Sequence, residues 1–124
     1  MNYPQSILLT DDEPHIRKFI SLILRGFDNP RILEASNGAE AVELYKQHQP
    51  DLVLLDVNMP IMDGVQALGQ IMQLDASAVV VMLTSLANRQ TVEDCQRLGA
   101  VDYIRKDTPR AEMTARFESI IAEC

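Results

Sequence analysis

A chain of 124 residues with 47% hydrophobic content has room for one domain with one packed core and needs no metal or disulfide staples. Its formal net charge of −7 argues against nonspecific nucleic-acid binding and against adsorption on an anionic membrane. No apolar run approaches the ~18 residues of a membrane span, and Met1-Asn2-Tyr3-Pro4-Gln5 lacks the basic region and long apolar stretch of a secretory signal.

The first strand is predicted over Ile7–Thr10 and runs into Asp11-Asp12. Ile16, Phe19, Ile20 and Ile23 then recur at helical spacing, with Asp12 as the cap, Pro14 in the first turn and Gly26 as the stop. A second strand covers Arg31–Ala35. Asn37 with Glu40 three residues on has the pattern of a capping box, opening a helix that Pro50 ends. The third strand is Leu52–Asp56, followed by a helix marked by Val65, Leu68 and Met72. The fourth is Val79–Leu83, followed by a helix marked by Val92, Cys95 and Leu98 and stopped by Gly99. The fifth is Val101–Arg105. Thr108 then caps the last helix, with Pro109 at its first position and Met113, Phe117, Ile120 and Ile121 as its buried face. Two cysteines make neither a disulfide framework nor a metal cluster: Cys95 reads as a buried, inert thiol and Cys124 as an exposed terminal one. A cytoplasmic protein is the expectation.

Five alternations of strand and helix, with no shift in composition, predict a single α/β domain over residues 1–124. Such a chain builds a parallel sheet covered on both faces, with right-handed crossovers. The first, third and fourth strands are nearly free of charge and belong at the centre, whereas the second and fifth carry charges as edges do. That gives a flavodoxin-like, doubly wound five-stranded sheet with five helices and strand order 2-1-3-4-5. Its switch point, where ligands bind beyond the carboxyl ends of the strands, lies between strands one and three.

Asp11, Asp12 and Asp56 end those two strands. Two like charges ~4 Å apart cost about 4 kcal/mol at an effective dielectric near 20, so three carboxylates brought together call for a hard divalent cation of the Mg²⁺ type. Helix capping explains one of the three, but not all of them at equivalent strand ends. Thr84 and Lys106 follow strands four and five to the same edge. Taken singly, a Thr there starts a turn and a Lys is solvated. Taken together, three carboxylates, Mg²⁺ and Lys106 balance in charge, and a phosphoryl group on Asp56 meets a metal, an ammonium and a hydroxyl. These are the electrostatic partners of phosphoryl transfer.

Asp11-Asp12-Glu13, the stretch Asp56-Val57-Asn58-Met59-Pro60-Ile61-Met62-Asp63-Gly64, Thr84-Ser85, and Gly99-Ala100-Val101-Asp102-Tyr103-Ile104-Arg105-Lys106 resemble the receiver domain of bacterial response regulators of the chemotaxis-regulator-like family, nearly end to end. The resemblance implies two-component signalling. Asp56 is then the phosphoacceptor, served by a sensor histidine kinase, a phosphotransfer protein or a small phosphodonor. Asp12, Asp56 and the backbone carbonyl of Asn58 ligate Mg²⁺, with Asp11 acting through water. Thr84 and Lys106 contact the phosphoryl group. Movement of Thr84 lets Tyr103 turn inward and repacks an output face made by helix four, strand five and helix five, which meets a downstream protein. A domain of this kind catalyses its own phosphorylation and dephosphorylation rather than the turnover of a separate substrate. Asn58 and Leu86 occupy the positions that tune phosphoryl lifetime, and the apolar Leu86 predicts slow hydrolysis. Pro60 holds Met59 extended, and Gly64 lets the loop enter the third helix. His15 and Phe19 lie where receivers dock the phosphohistidine helix, His15 itself as a solvated residue. His48 ends a helix without visible partners. Met59 and Met62 read as loop packing, and an exposed Met59 suits an adaptable docking surface.

One departure stands out, since Asp107 follows Lys106 where the family carries a proline in a cis peptide. A non-proline cis bond costs ~3–4 kcal/mol, so a trans bond is expected. A haloacid-dehalogenase-like phosphatase would need an Asp two residues after its nucleophile, where Asn58 stands, and room for a substrate cap. A flavin or nucleotide module would need a phosphate cradle where Asp11-Asp12-Glu13-Pro14 repels phosphate. A degenerate receiver acting only as a phosphorylation-independent binding module is the remaining alternative. No DNA-binding helix pair is present, which favours a stand-alone shuttle or phosphorelay carrier.

Overall fold

In a computed structural model, which describes residues 3–85 and 88–123, strands and helices alternate. They are β1 (Ser6–Thr10), α1 (Pro14–Leu24), β2 (Arg31–Ala35), α2 (Gly38–His48), β3 (Leu52–Asp56), α3 (Gly64–Leu74), β4 (Val80–Thr84), α4 (Arg89–Leu98), β5 (Asp102–Arg105) and α5 (Arg110–Ala122). The expectations for Leu86 and Cys124 lie outside the described residues. All strand pairs are parallel, in the order β2-β1-β3-β4-β5. The flavodoxin-like order read from the charge-free strands is therefore the observed one. β3 and β4 are buried at every position and the edge strand β2 is not, which is the burial difference that their charge content anticipates.

Period-two alternation sorts the strands' side chains into two cores. Ile7, Leu9, Leu54, Leu83 and Ile104 pack against Ile20, Ile23 and Leu24 of α1 and against Met113, Phe117, Ile120 and Ile121 of α5. On the other face, Leu8, Val53, Leu55, Val80 and Met82 meet Ala41, Val42 and Tyr45 of α2, Ala67, Leu68 and Ile71 of α3, and Cys95 of α4. Burial of the Cys95 thiol pushes its pKa up, as an inert core cysteine requires.

Several local expectations need correction. β4 begins and ends one residue later than predicted, so Thr84 is its last residue rather than its successor, and β5 starts at Asp102. Asp12 does not cap α1. The N-cap is Glu13, which makes no side-chain bond to the helix, and it is Asp11 Oδ1 that accepts the Glu13 N–H at 2.9 Å. Gly26 follows the C-cap Arg25, where a stop belongs, but the left-handed residues after the helix are Asp28 and Asn29 rather than the glycine. Asn37 caps α2 through the Glu40 N–H, but the Glu40 carboxylate reaches one residue further back, to the N–H and hydroxyl of Ser36. Its pKa is lowered by those bonds, the hydroxyl's first. The full capping box is at α3, where Asp63 and Gln66 bond each other's backbone. Pro109 is the N-cap of α5 in extended geometry, and Thr108 makes no capping bond. Leu98 is 39% exposed. Steps of three residues drift backwards round a 3.6-residue helix, so Leu98 stands roughly 120° from Val92.

Candidate functional site

The same alternation that fills the core beneath α1 and α5 also builds the site. Asp11, Asp56 and Lys106 each lie two residues beyond a member of that core (Leu9, Leu54 and Ile104), so they continue its side of the sheet past the strand ends. The Lys106 N–H donates to the Thr84 carbonyl at 2.7 Å, which carries the sheet pairing one residue beyond β5. Its ammonium, on a side chain only 8% exposed, lies 2.7 Å from Asp11 Oδ2, 3.0 Å from Asp56 Oδ2 and 3.5 Å from Glu13 Oε1. Asp11 and Asp56 are buried. No peptide bond among the described residues is cis, so Lys106–Asp107 is trans, as expected, and Lys106 still reaches both carboxylates.

Burial dominates the electrostatics of Asp56. It pushes the pKa up to about 6 against the opposing hydrogen bond from Lys106, and the charges of Asp11 and Asp12 add to the rise. For Lys106, burial works against the ammonium, but the hydrogen bonds to Asp11 and Asp56 outweigh it and hold the pKa above the ordinary lysine value. A cation locked between two buried carboxylates is a tight local balance: losing one partner leaves an uncompensated buried charge, which typically costs 3–5 kcal/mol.

The main chain around these groups is gripped from several directions. The Asp11 N–H donates to Ala35 O, and the Asp11 carbonyl accepts from Arg17 Nη1 at 2.6 Å. Arg17 Nε in turn reaches Glu34 Oε1 at 3.0 Å, tying α1, β1 and β2 together at one point. Gly64 is needed for a reason other than loop entry: a Cβ there would collide with the Asp56 carbonyl oxygen, and the Gly64 N–H donates to Val57 O at 2.8 Å. Between Asp56 and Gly64, Ile61 adopts φ 70° and is 84% exposed. A β-branched residue in this left-handed region is strained by roughly 1–2 kcal/mol. Arg17, the Glu13 contact and Ile61 went unread in the sequence, because each role is set by tertiary approach rather than by spacing along the chain.

Asp11, Asp12 and Asp56 each offer a carboxylate oxygen within 4.8 Å of the others, with Asp12 exposed at the mouth. Apart from the ion pair with Lys106, no hydrogen bond is directed at the buried Asp11 Oδ2 among the described residues. An all-oxygen set with spare lone pairs and one exposed member fits a small hard cation that keeps some of its water. Asn58 follows two residues after Asp56 and is exposed. Thr84, buried at the end of β4, takes the other alternation, on the side where Tyr103 packs half-buried against the core of α2, α3 and α4. His15 is exposed beside Glu13 and His48 is exposed at the end of α2, so neither joins the site. Met59 and Met62 are half-buried, whereas Pro60 and Ile61 between them are exposed.

The model of the response regulator receiver domain family matches residues 7–118. The chain is 44% identical over 102 residues to the chemotaxis protein CheY of Bacillus subtilis, covering 81% of this chain and 83% of the relative. Identity to CheY of Halobacterium salinarum is 40% over 103 residues, covering 82% of this chain and 84% of that one. Among solved structures, a chain of the CheX-CheY-BeF3-Mg+2 complex from Borrelia burgdorferi superposes with a TM-score of 0.89 at 37% identity, over 95% of this chain and 90% of its own. No helix among the described residues is long and apolar enough to cross a membrane. With its five-stranded order, its strand-end acid cluster and a family match over most of its length, the chain belongs to the response regulator receiver family of two-component signalling.

Proposed function

We propose that this receiver accepts a phosphoryl group on Asp56 in a Mg²⁺-dependent reaction, from a sensor histidine kinase, a phosphotransfer protein or a small phosphodonor. The observation that carries the reading is the buried Asp56 carboxylate held 3.0 Å from the Lys106 ammonium, with Asp11 and Asp12 close enough to share a cation. An Asp56 oxygen attacks phosphorus. The new P–O bond forms as the phosphorus–nitrogen bond of a phosphohistidine breaks, and the imidazole nitrogen leaves with the electron pair. Asp12, Asp56 and the Asn58 carbonyl would hold the ion, and Asp11 would act on it through water. When bound, Mg²⁺ neutralises charge on the phosphoryl oxygens. Lys106 pairs with one of those oxygens and the Thr84 hydroxyl donates to another. Asp56 enters the reaction from a buried pocket whose desolvation raises its basicity, and there the attraction of Lys106 and a bound cation for the phosphoryl oxygens is screened less by water.

The same reading makes Thr84 and Tyr103 the switch. They share one side of the sheet, and Tyr103 adjoins a groove of about 520 Å³ between α4, β5 and α5. Repacking there presents an altered face to a downstream protein, with no direct role for nucleic acid or membrane. A binding module indifferent to phosphorylation is disfavoured, because it has no use for two buried carboxylates that cost desolvation to keep. The direct test is intact-mass analysis after acetyl phosphate with Mg²⁺. Wild type gains one phosphoryl group, while Asp56→Asn and wild type in excess chelator gain none. A labelled Asp56→Asn would refute the assignment.

A further inference from the structure

The turn that delivers Lys106 to the site carries a feature that the phosphoryl chemistry leaves unused. Arg105 and Asp107 flank Lys106, and their side chains meet as a parallel pair: Arg105 Nε donates to Asp107 Oδ1 at 3.0 Å and Arg105 Nη2 to Asp107 Oδ2 at 2.8 Å. Lys106 and Asp107 are the central residues of a turn closed by Thr108 N–H to Arg105 O at 3.2 Å, the long end of the range for such bonds. The Lys106 N–H to Thr84 O bond holds the near end of the turn, and beyond it the Thr108 N–H to Arg105 O bond is the backbone bond that closes it. A two-point guanidinium–carboxylate fork adds an orientation that a single bond cannot.

We infer that the Arg105–Asp107 pair is a clasp that positions Lys106, doing in this chain by a charged fork what a rigid turn residue would do covalently. Neither residue touches the reacting atoms; both are positioning residues that act through Lys106, and the inference rests on the reading of Asp56 as phosphoacceptor. The pair is exposed, with side chains 52% and 65% accessible, so the effect is modest. Exposed pairs shift equilibria by roughly two- to fivefold, and added salt weakens them.

The test exploits charge of opposite sign. Asp107→Asn removes a negative charge near the pocket and Arg105→Gln removes a positive one. A purely long-range electrostatic role predicts opposite effects on the reaction with an anionic phosphodonor, faster for Asp107→Asn and slower for Arg105→Gln. A clasp predicts that both are slower, by roughly two- to fivefold. The double variant Arg105→Asp with Asp107→Arg keeps the net charge and can re-form the pair, so it recovers most of the rate. A second readout needs neither phosphate nor metal. The chain has three lysines, of which Lys18 and Lys46 are exposed and serve as internal references. Under trace acetylation, Lys106 becomes more reactive relative to those two in both single variants and returns towards wild type in the swap, with melting temperature essentially unchanged. Opposite rate effects in the two single variants, or unaltered relative reactivity of Lys106, would overturn the clasp. A wild type that takes no phosphoryl group would instead refute the phosphoacceptor reading, and the acetylation ratios would still decide whether Arg105 and Asp107 hold Lys106.

Discussion

The two faces of the sheet are built from strands of equal quality but are closed very differently. Beneath α1 and α5, seven large or branched side chains (Ile20, Ile23, Leu24, Met113, Phe117, Ile120 and Ile121) seal the core, and the same alternation runs on into Asp11, Asp56 and Lys106. On the opposite face α2 and α3 pack well, but α4 buries only Cys95, and a groove of about 520 Å³ remains beside it against β5 and α5. The charged pocket thus continues the firmly packed side, where sub-ångström placement of buried charges is affordable. Thr84 and Tyr103 lie on the side whose outer helix has one buried anchor and is cheaper to shift. The buried charges and the loosely anchored helix thus belong to different faces of one sheet.

The largest expected effect tests that asymmetry directly. Phe117→Ala on the sealed face should cost about 3–5 kcal/mol, the usual loss for a fully buried aromatic. Cys95→Ala, at the one buried anchor of α4, should cost about 1 kcal/mol, since a small thiol leaves little cavity. Urea denaturation of both variants checks the comparison. Equal losses would mean that α4 is held as firmly as α5 and would remove the reason for assigning movement to its side.

A second test sharpens the pocket's half of the comparison. A cation that binds only the folded acid cluster stabilises by about 2.7 kcal/mol at a hundredfold excess over its Kd. Mg²⁺ should therefore raise the Tm of wild type by several degrees, and Asp12→Ala should abolish the response while leaving the metal-free protein as stable or slightly more so. Asp12 is exposed, and its removal relieves repulsion without opening a cavity. Scanning calorimetry with and without Mg²⁺ reads both quantities. Equal shifts in the two proteins would dismiss the acid cluster as the metal site.

How much of this was legible in the sequence follows from the range of each interaction. Strand order could be read because charge content along five short runs reports burial directly, and Leu52–Asp56 against Arg31–Ala35 is an unambiguous contrast. Asp11, Asp56 and Lys106 could be read because strand ends deliver them to one edge whatever the details of packing. Helix caps were read less well. The Asp63–Gln66 box is present at the required spacing, yet the pattern points equally to Asp12 and Thr108 as caps elsewhere, and neither makes a capping bond. An Asp can serve the helix behind it or the pocket ahead of it, and spacing alone does not say which. Arg17 on the Asp11 carbonyl and Arg105 on Asp107 were invisible for a related reason: a long, five-donor side chain finds its acceptor only after the backbone has been placed.

The smallest expected effect lies in the well-packed half of the α2–α3 face, and there it takes the form of a pH dependence. The buried Tyr45 hydroxyl of α2 donates to Asp75 Oδ2 at 2.8 Å, just beyond the end of α3, and Asp75 also accepts from the N–H and hydroxyl of Ser77. Burial first, then the bond to Asp75 and its charge, push the Tyr45 pKa up to about 12. Those same bonds, with the Ser77 hydroxyl first, lower the pKa of Asp75. The sign follows from linkage. A tyrosine whose folded pKa exceeds its unfolded value near 10 contributes stability that is complete below ~10 and is lost as pH rises through about 12. Within that window the tether between α2 and α3 should weaken, and a tyrosine absorbance step should appear late, near pH 12. Tyr45→Phe should delete the late step and cost about 1 kcal/mol at neutral pH, the worth of one hydrogen bond given up by a charged acceptor that keeps its other partners. It should leave phosphorylation of Asp56 unchanged, because the tether sits on the opposite face from the pocket. A phosphorylation rate that fell with the tether would show that the two faces are mechanically coupled rather than divided.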